Sequence, residues 1–317
     1  MLDRVLGLAS ALSIAVGAVS APAGPSGHVE LTFQDPDIVE SSGLVATDDG
    51  LFLTTNDSGD GGRVFVVDRT GATVGTTSWS PDPVDVESLA PAGPGEVWVG
   101  DTGDNPRSRD SITVLRVPYG RTDRVVDPTA YELVYPDRAH DAETLLADPG
   151  TGRLFVVSKD VFGGRVYAAP RRLSADHPNR LEDVAPGFSF ATDGSFFPDG
   201  RHYVVRGYTG AAVYTFPGHE RIGSFPLPAQ QQGEGISVGA DAELYLSTEG
   251  QHTDLLRIQV PRQVARAMAP ASDATVAEPV ELSTESGTSW AWFAGGGLVV
   301  AFVAVVGWLL LRRGQAP

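Results

Sequence analysis

The sequence predicts an all-β fold, a β-propeller of five blades, set between an apolar leading segment and an apolar trailing one. Three observations predict it. An acid followed by a short apolar strand recurs at Glu40, Glu87, Glu143, Asp193 and Glu234, at spacings of 47, 56, 50 and 41 residues. Each recurrence runs on through a tight turn, a second strand, a longer loop and a third strand, which is how four-stranded blades read in sequence. Finally, no amphipathic helix of useful length is legible in the body, which argues against an α/β fold.

The leading strands are Glu40–Leu44, Glu87–Ala90, Glu143–Leu146, Asp193–Phe196 and Glu234–Ser237. Turns rich in Asp, Pro and Gly follow, such as Asp48-Asp-Gly50 and Pro198-Asp-Gly200. Second strands follow at Leu51–Thr55, Val97–Gly100, Leu154–Val157, Tyr203–Val205 and Leu244–Ser247. Third strands are Val64–Val67, Ile112–Leu115, Arg165–Tyr167, Ala212–Tyr214 and Leu255–Ile258, β-branched and aromatic as strands prefer. Weaker fourth strands fit Ala72–Trp79, Tyr131–Val134 and Arg221–Phe225. One blade cannot bury its own faces, so the blades must stack into a ring. Val29–Phe33 is placed to supply the last strand of the final blade and close that ring. The repeat leaves room for a sixth, degenerate blade.

The ends predict location. Residues 1–23 combine Arg4, an apolar run from Val5 to Val19 and Ala21-Pro-Ala23, the layout of a secretory signal peptide; an uncleaved anchor is the alternative. Residues 263–289, rich in Ala, Pro, Ser, Thr and Glu, read as a flexible stalk. Residues 290–311 carry no charge, start with Trp290 and Trp292, and are long enough to cross a bilayer as a helix. Arg312 and Arg313 in the 312–317 tail then point cytoplasmic. The expected protein is a single-pass membrane protein whose body, 28–262, lies outside the cytoplasm.

The 317 residues hold 23 Lys+Arg against 40 Asp+Glu, a formal charge of −17, and no cysteine. That charge argues against nucleic acid as a partner. The absence of cysteine removes disulfides, thiolate metal sites and Cys nucleophiles. A closed ring without free edges is expected to be a monomer.

In an up-and-down blade, the loop entering the first strand and the loop leaving the second share a face. That face should carry Glu40, Glu87, Glu143, Asp193 and Glu234 at the channel mouth, with Asp57, Asp101, Lys159, Arg206 and Glu249 as a second ring. Asp104 and Asn105 join them on the loop after Asp101. Close carboxylates protonate, bind a cation or pair with Lys/Arg. Lys159, the only lysine, and Arg206 would form a basic side. The arrangement suits calcium held by Glu40, Glu87, Glu143 and Glu234, or an anion bridging cation and Lys/Arg on Asp57, Asp101, Asp104, Asn105, Lys159, Arg206 and Glu249. Alternatively the acids are structural, each bonding the backbone of the next blade.

Other motifs are weaker. Gly235-Ile-Ser-Val-Gly239 matches G-x-S-x-G but lies in a repeat strand rather than at a strand-to-helix elbow. Asn56–Gly61 fits the front of a calcium loop, but Val67 stands where the closing Glu belongs. His140 and His252 are candidate ligands or bases, and isolated histidines are more often neither.

Asp85-Val-Glu87-Ser-Leu89 followed by Val97-Trp-Val-Gly-Asp101 resembles the repeat of phytase-like propellers, the family labelled "esterase-like activity of phytase". Glu143-Thr-Leu and Glu234-Gly-Ile with their second strands repeat it. The resemblance implies an exported propeller with a link to calcium or phosphate esters, and transfers no catalytic residue. Two functions follow: a membrane-anchored extracellular module that binds a small molecule, glycan or protein through the acidic mouth and long loops, or a calcium-dependent phosphoesterase or esterase.

Overall fold

A computed structural model describes residues 26–57 and 59–269. Strand β1 (His28–Thr32) comes first in the chain and last in the ring. The first blade is β2 (Ser41–Ala46), β3 (Phe52–Asn56), β4 (Arg63–Val67) and β5 (Thr73–Ser78). The second is β6 (Val86–Pro91), β7 (Glu96–Asp101) and β8 (Ile112–Pro118). After the short β9 (Arg124–Val125), β10 (Thr129–Val134) completes it. The third is β11 (Ala142–Ala147), β12 (Leu154–Ser158) and β13 (Arg165–Ala168). After β14 (Asn179–Arg180), β15 (Glu182–Pro186) completes it. The fourth is β16 (Asp193–Phe196), β17 (His202–Arg206), β18 (Gly210–Thr215) and β19 (Arg221–Pro226). The fifth is β20 (Gly233–Val238), β21 (Leu244–Thr248) and β22 (Asp254–Ile258), with β1 antiparallel to β22 at its outer edge. The five-blade count and the closing strand match expectation.

The apolar alternation of the strands is spent between blades. Val45, Leu53 and Val66 of the first blade pack with Leu89, Val97 and Val99 of the second. Three further cores repeat the arrangement around the ring. The fifth seals it: Leu31 of β1 and Phe33 just after it pack with Leu44, Phe52 and Phe65 of the first blade. Each such side chain, fully buried, contributes about 1.5–3 kcal/mol before entropy is counted.

Three features depart from expectation. The third blade has a fourth strand, β15, whose Glu-Asp-Val-Ala-Pro sequence is mostly exposed at a sheet edge and so lacks an apolar period. The connections after β8 and β13 reach back to the preceding blade, β9 pairing parallel with β5 and β14 with β10. And the body does not end at 262: helix α1 (Arg262–Met268) occupies the start of the expected stalk and packs on β19, burying Val264. The signal segment 1–23, the rest of the stalk, the span 290–311 and the tail 312–317 lie outside the described residues. Among the described residues no helix is long and apolar enough to cross a membrane.

Candidate functional site

A backbone hydrogen bond at the same place in all five blades, its direction reversed in the fourth, builds the site face. It joins the chain just before each inner strand to the end of the second strand: Asp57 N to Glu40 O, Gly103 N to Asp85 O, Lys159 N to Asp141 O, Thr192 N to Arg206 O, and Glu249 N to Gln232 O. The leading acids and the long loops are thereby brought to one end of the channel, as the topology predicts.

The acids do not share one fate. Glu87, Glu143 and Glu234 are buried, and Glu40 and Glu249 half-buried. A different set forms the tightest cluster. Asp57, Asp85 and Glu87 each place one carboxylate oxygen within 4.8 Å of the other two. Of the expected calcium set, only Glu87 belongs to it. Glu143 is engaged by Lys159, and Glu234 accepts from Gln232 Nε2 at 3.3 Å. Glu40 meets Glu249 in a backbone bridge. Asp85 was missed as a candidate, although Asp85-x-Glu87 carried the signal, since alternate residues of an extended chain share a face.

Two features show the cluster's strain. Asp85 Oδ1 is buried with no hydrogen-bond partner, as is Glu143 Oε2. Gly103 abuts the cluster so closely that a Cβ there would lie 2.3 Å from Asp85 Oδ2 and 2.9 Å from Glu87 Cγ. Only glycine leaves room for both carboxylates. Burial, with the charges of Asp57 and Asp141, pushes the Asp85 carboxyl up to about 6. Burial, then Glu143, Asp57 and Asp85, holds Glu87 well above the carboxylate range. Burial raises Glu234 and Glu249 to about 7, Glu234 despite Lys159 and Arg206, and Glu249 with help from Glu234, Asp57 and Glu40. Carboxylates so placed favour protonation or a cation.

Of the two expected basic residues, Lys159 stays at the mouth. Burial works against its charge, but Glu143 and the Tyr208 hydroxyl outweigh that and hold it protonated. Its ammonium also lies 5.2 Å from the centre of the Tyr208 ring. Tyr208, on the loop after β17, was not foreseen.

Arg206 departs from its expected place in the mouth. It is 0% exposed, and its guanidinium donates to Gly235 O at 2.9 Å, Ser247 O at 3.3 Å and Gln230 Oε1 at 3.2 Å. It pins the fourth blade to the fifth. Asp193 is likewise structural, its two oxygens accepting from Gly194 N and Ile236 N, each at 2.8 Å. Asp101 accepts from Asp85 N and from Arg109 Nη1, which fixes the strand entrance beneath Asp85. Asp104 accepts from Ser108 N and Arg109 N, shaping its own loop, and Asn105 is exposed there. His140 is buried against Tyr167 Oη at 2.8 Å, and His252 Nδ1 lies 3.2 Å from Phe33 O. Neither histidine is placed in the acidic cluster.

The opposite face holds a cavity of about 1070 Å³, walled by the hairpin turns and by Trp98, Phe196 and Val238. Its Asp49 and Asp148 are occupied with turn hydrogen bonds to Thr47 Oγ1 and Gly150 N.

No protein-family model matches the chain, so the phytase-like resemblance has no support from that comparison. No curated protein matches either. Among solved structures, a gluconolactonase from Xanthomonas campestris is similar at 13% identity and a TM-score of 0.44, over 76% of this chain and 99% of that one. A structure described as glucose dehydrogenase is similar at 11% identity and a TM-score of 0.42, over 74% and 100%. A streptogramin B lyase is similar at 15% identity and a TM-score of 0.40, over 78% and 77%. Likenesses this distant carry no inference about the chemistry of this chain.

Proposed function

We propose that the protein binds a small anionic ligand through a divalent cation held at the channel mouth by Asp57, Asp85 and Glu87. The observation that carries this is the buried Asp85 Oδ1, which has no hydrogen-bond partner and stands in a group of three converging carboxylates. A hard cation with oxygen ligands answers both the orphan atom and the crowding, and calcium tolerates such irregular carboxylate sets best. The Gly103 backbone keeps the cradle open. Lys159, held charged by Glu143 and Tyr208, supplies a second point of attraction for an anion. The apolar stretch 290–311 and the leading segment support an exported body tethered to a membrane.

A second reading is hydrolysis of an ester bound there. Glu234 and Glu249 favour it, because a carboxyl pushed to about 7 is positioned in energy to take a proton from water at neutral pH. The cation would polarise the ester carbonyl or phosphoryl oxygen.

The test is calorimetric titration of inorganic phosphate and of acetate into the full-length protein, in calcium and in EDTA. Binding in calcium that disappears in EDTA, and weakens roughly tenfold (about 1.4 kcal/mol) in Lys159→Met, is the expected result. Equal binding in EDTA contradicts the proposal. For the second reading, p-nitrophenyl acetate and p-nitrophenyl phosphate are assayed with the wild type and Glu249→Gln. Calcium-dependent turnover lost in the variant supports hydrolysis.

A further inference from the structure

The same face carries an apolar feature that anion binding does not use. Among the described residues, the exposed large hydrophobic side chains are five valines and two phenylalanines. Both phenylalanines, Phe162 at 98% exposure and Phe190 at 42%, sit on site-face loops, one within the third blade and one leading from it into the fourth. Val161, 54% exposed, adjoins Phe162. Water-facing aromatic rings so concentrated mark a contact surface.

The two loops are built as one unit. Phe190 N donates to Asp160 O at 3.0 Å, Gly164 N to Phe188 O at 3.1 Å, and Gly187 N to Gly164 O at 2.7 Å. Asp160 also accepts from Arg107 Nη2 at 3.3 Å. Phe190 is held at a φ of 51°, in the left-handed region that a bulky side chain avoids. Strain kept at a half-exposed aromatic residue points toward use rather than packing.

The unit is continuous with the mouth. The Phe162 loop begins at Lys159. The Tyr208 loop leans on the Phe188–Phe190 loop, since a Cβ on Gly207 would lie 2.7 Å from Phe190 O and 3.3 Å from the Phe188 ring. Tyr208 in turn carries the Lys159 ammonium over its ring. A charged anchor point and an aromatic wall therefore stand side by side.

We propose that the ligand is an amphiphilic anion: its charged head meets the cation and Lys159, and its acyl or aryl portion lies on the wall of Val161, Phe162, Phe190 and Tyr208. This rests on the anion-binding reading above and deepens it to a substrate class. Charge complementarity selects the occupant. The Lys159 ammonium, which Glu143 also engages, and the cation proposed above stand beside the wall, so a molecule spanning both carries a negative head and an apolar body.

Acetate, butyrate, octanoate and phenylacetate are titrated into full-length protein saturated with calcium, with calcium binding recorded separately. Octanoate should bind at least roughly tenfold more tightly than acetate, the gain expected from burying only part of its chain. In Phe162→Ala/Phe190→Ala that preference should fall to about twofold or less, while the calcium isotherm, which also reports the fold, stays unchanged. Equal affinity for acetate and octanoate in the wild type, with calcium bound, overturns the wall and leaves the anion site standing. A double variant that changes self-association by light scattering but keeps the chain-length preference overturns it too, and makes the patch a protein contact. Absence of calcium binding in the wild type overturns the underlying reading, and the amphiphile proposal with it.

Discussion

Glu143 in the third blade and Asp193 in the fourth occupy the same place in the repeat, at the start of an inner strand. Asp193 is fully enclosed and saturated by two backbone N–H groups, one of them from the fifth blade. Glu143 keeps one oxygen on Lys159 and one buried with no partner, and it faces Glu87 and Glu234. Side-chain length separates them. An aspartate stays within reach of the strand backbone and staples blades together. A glutamate carries its charge one methylene further, toward the channel, where the backbone supplies no donors. The second ring follows suit: Arg206 beside Asp193 turns into the wall, and Lys159 beside Glu143 turns to the mouth. A repeat position is thus structural or functional according to whether the neighbouring blade satisfies it.

Removing the staple should have the largest effect. Arg206→Met leaves the carbonyls of Gly235 and Ser247 without their donor inside the wall, and should cost about 3–5 kcal/mol in chemical denaturation. Lys159→Met, one residue past the position that matches Arg206, should cost clearly less, because its partner lies at the mouth. Equal losses would erase the contrast between the two blades.

Gly103→Ala comes next. Its Cβ would displace Asp85 and Glu87, so calcium affinity measured by calorimetry should fall tenfold or more, with a loss of about 1–3 kcal/mol in stability.

Asp85→Asn sharpens the comparison by its sign. It removes a crowded charge, so the calcium-free protein should gain about 1 kcal/mol at pH 8, discounted because the group is half exposed, while calcium affinity falls. Glu87→Gln should behave alike. Thermal melts with and without calcium separate the two effects.

The last effect is in pH. Asp85, Glu234 and Glu249 have folded values raised above their unfolded ones, so their contribution to stability is full below about pH 4 and is lost as pH rises through 6 to 7. The calcium-free melting temperature should drop between pH 5 and pH 8, on the order of 5 °C, and calcium should restore it at pH 8. A flat profile would mean that the mouth acids are not crowded in solution.

Much of this was legible in the sequence. Strand-length apolar runs, turn chemistry and the acid repeat yielded five blades and the closing role of Val29–Phe33, because those depend on local period and spacing. The face carrying the acids followed from topology. What the sequence could not show was satisfaction. Nothing near Arg206 in the chain reveals that Gly235 and Ser247 of another blade offer it carbonyls, and nothing near Asp193 reveals the N–H of Ile236. Asp85 was visible in the Asp85-x-Glu87 alternation, but the repeat favoured the acid that recurs in every blade. Gly103 and Tyr208 matter through contacts across loops, which spacing does not encode. The outer strand β15 was hidden by its own exposure.

Function at the mouth depends on whether Asp57, Asp85 and Glu87 hold a cation. Calcium titrated calorimetrically into full-length protein stripped with EDTA, beside an Asp85→Asn/Glu87→Gln variant of matching fold by circular dichroism, asks that directly. One calcium per chain in the wild type and none in the variant is the predicted result. No binding in the wild type, or equal binding in both, would contradict it.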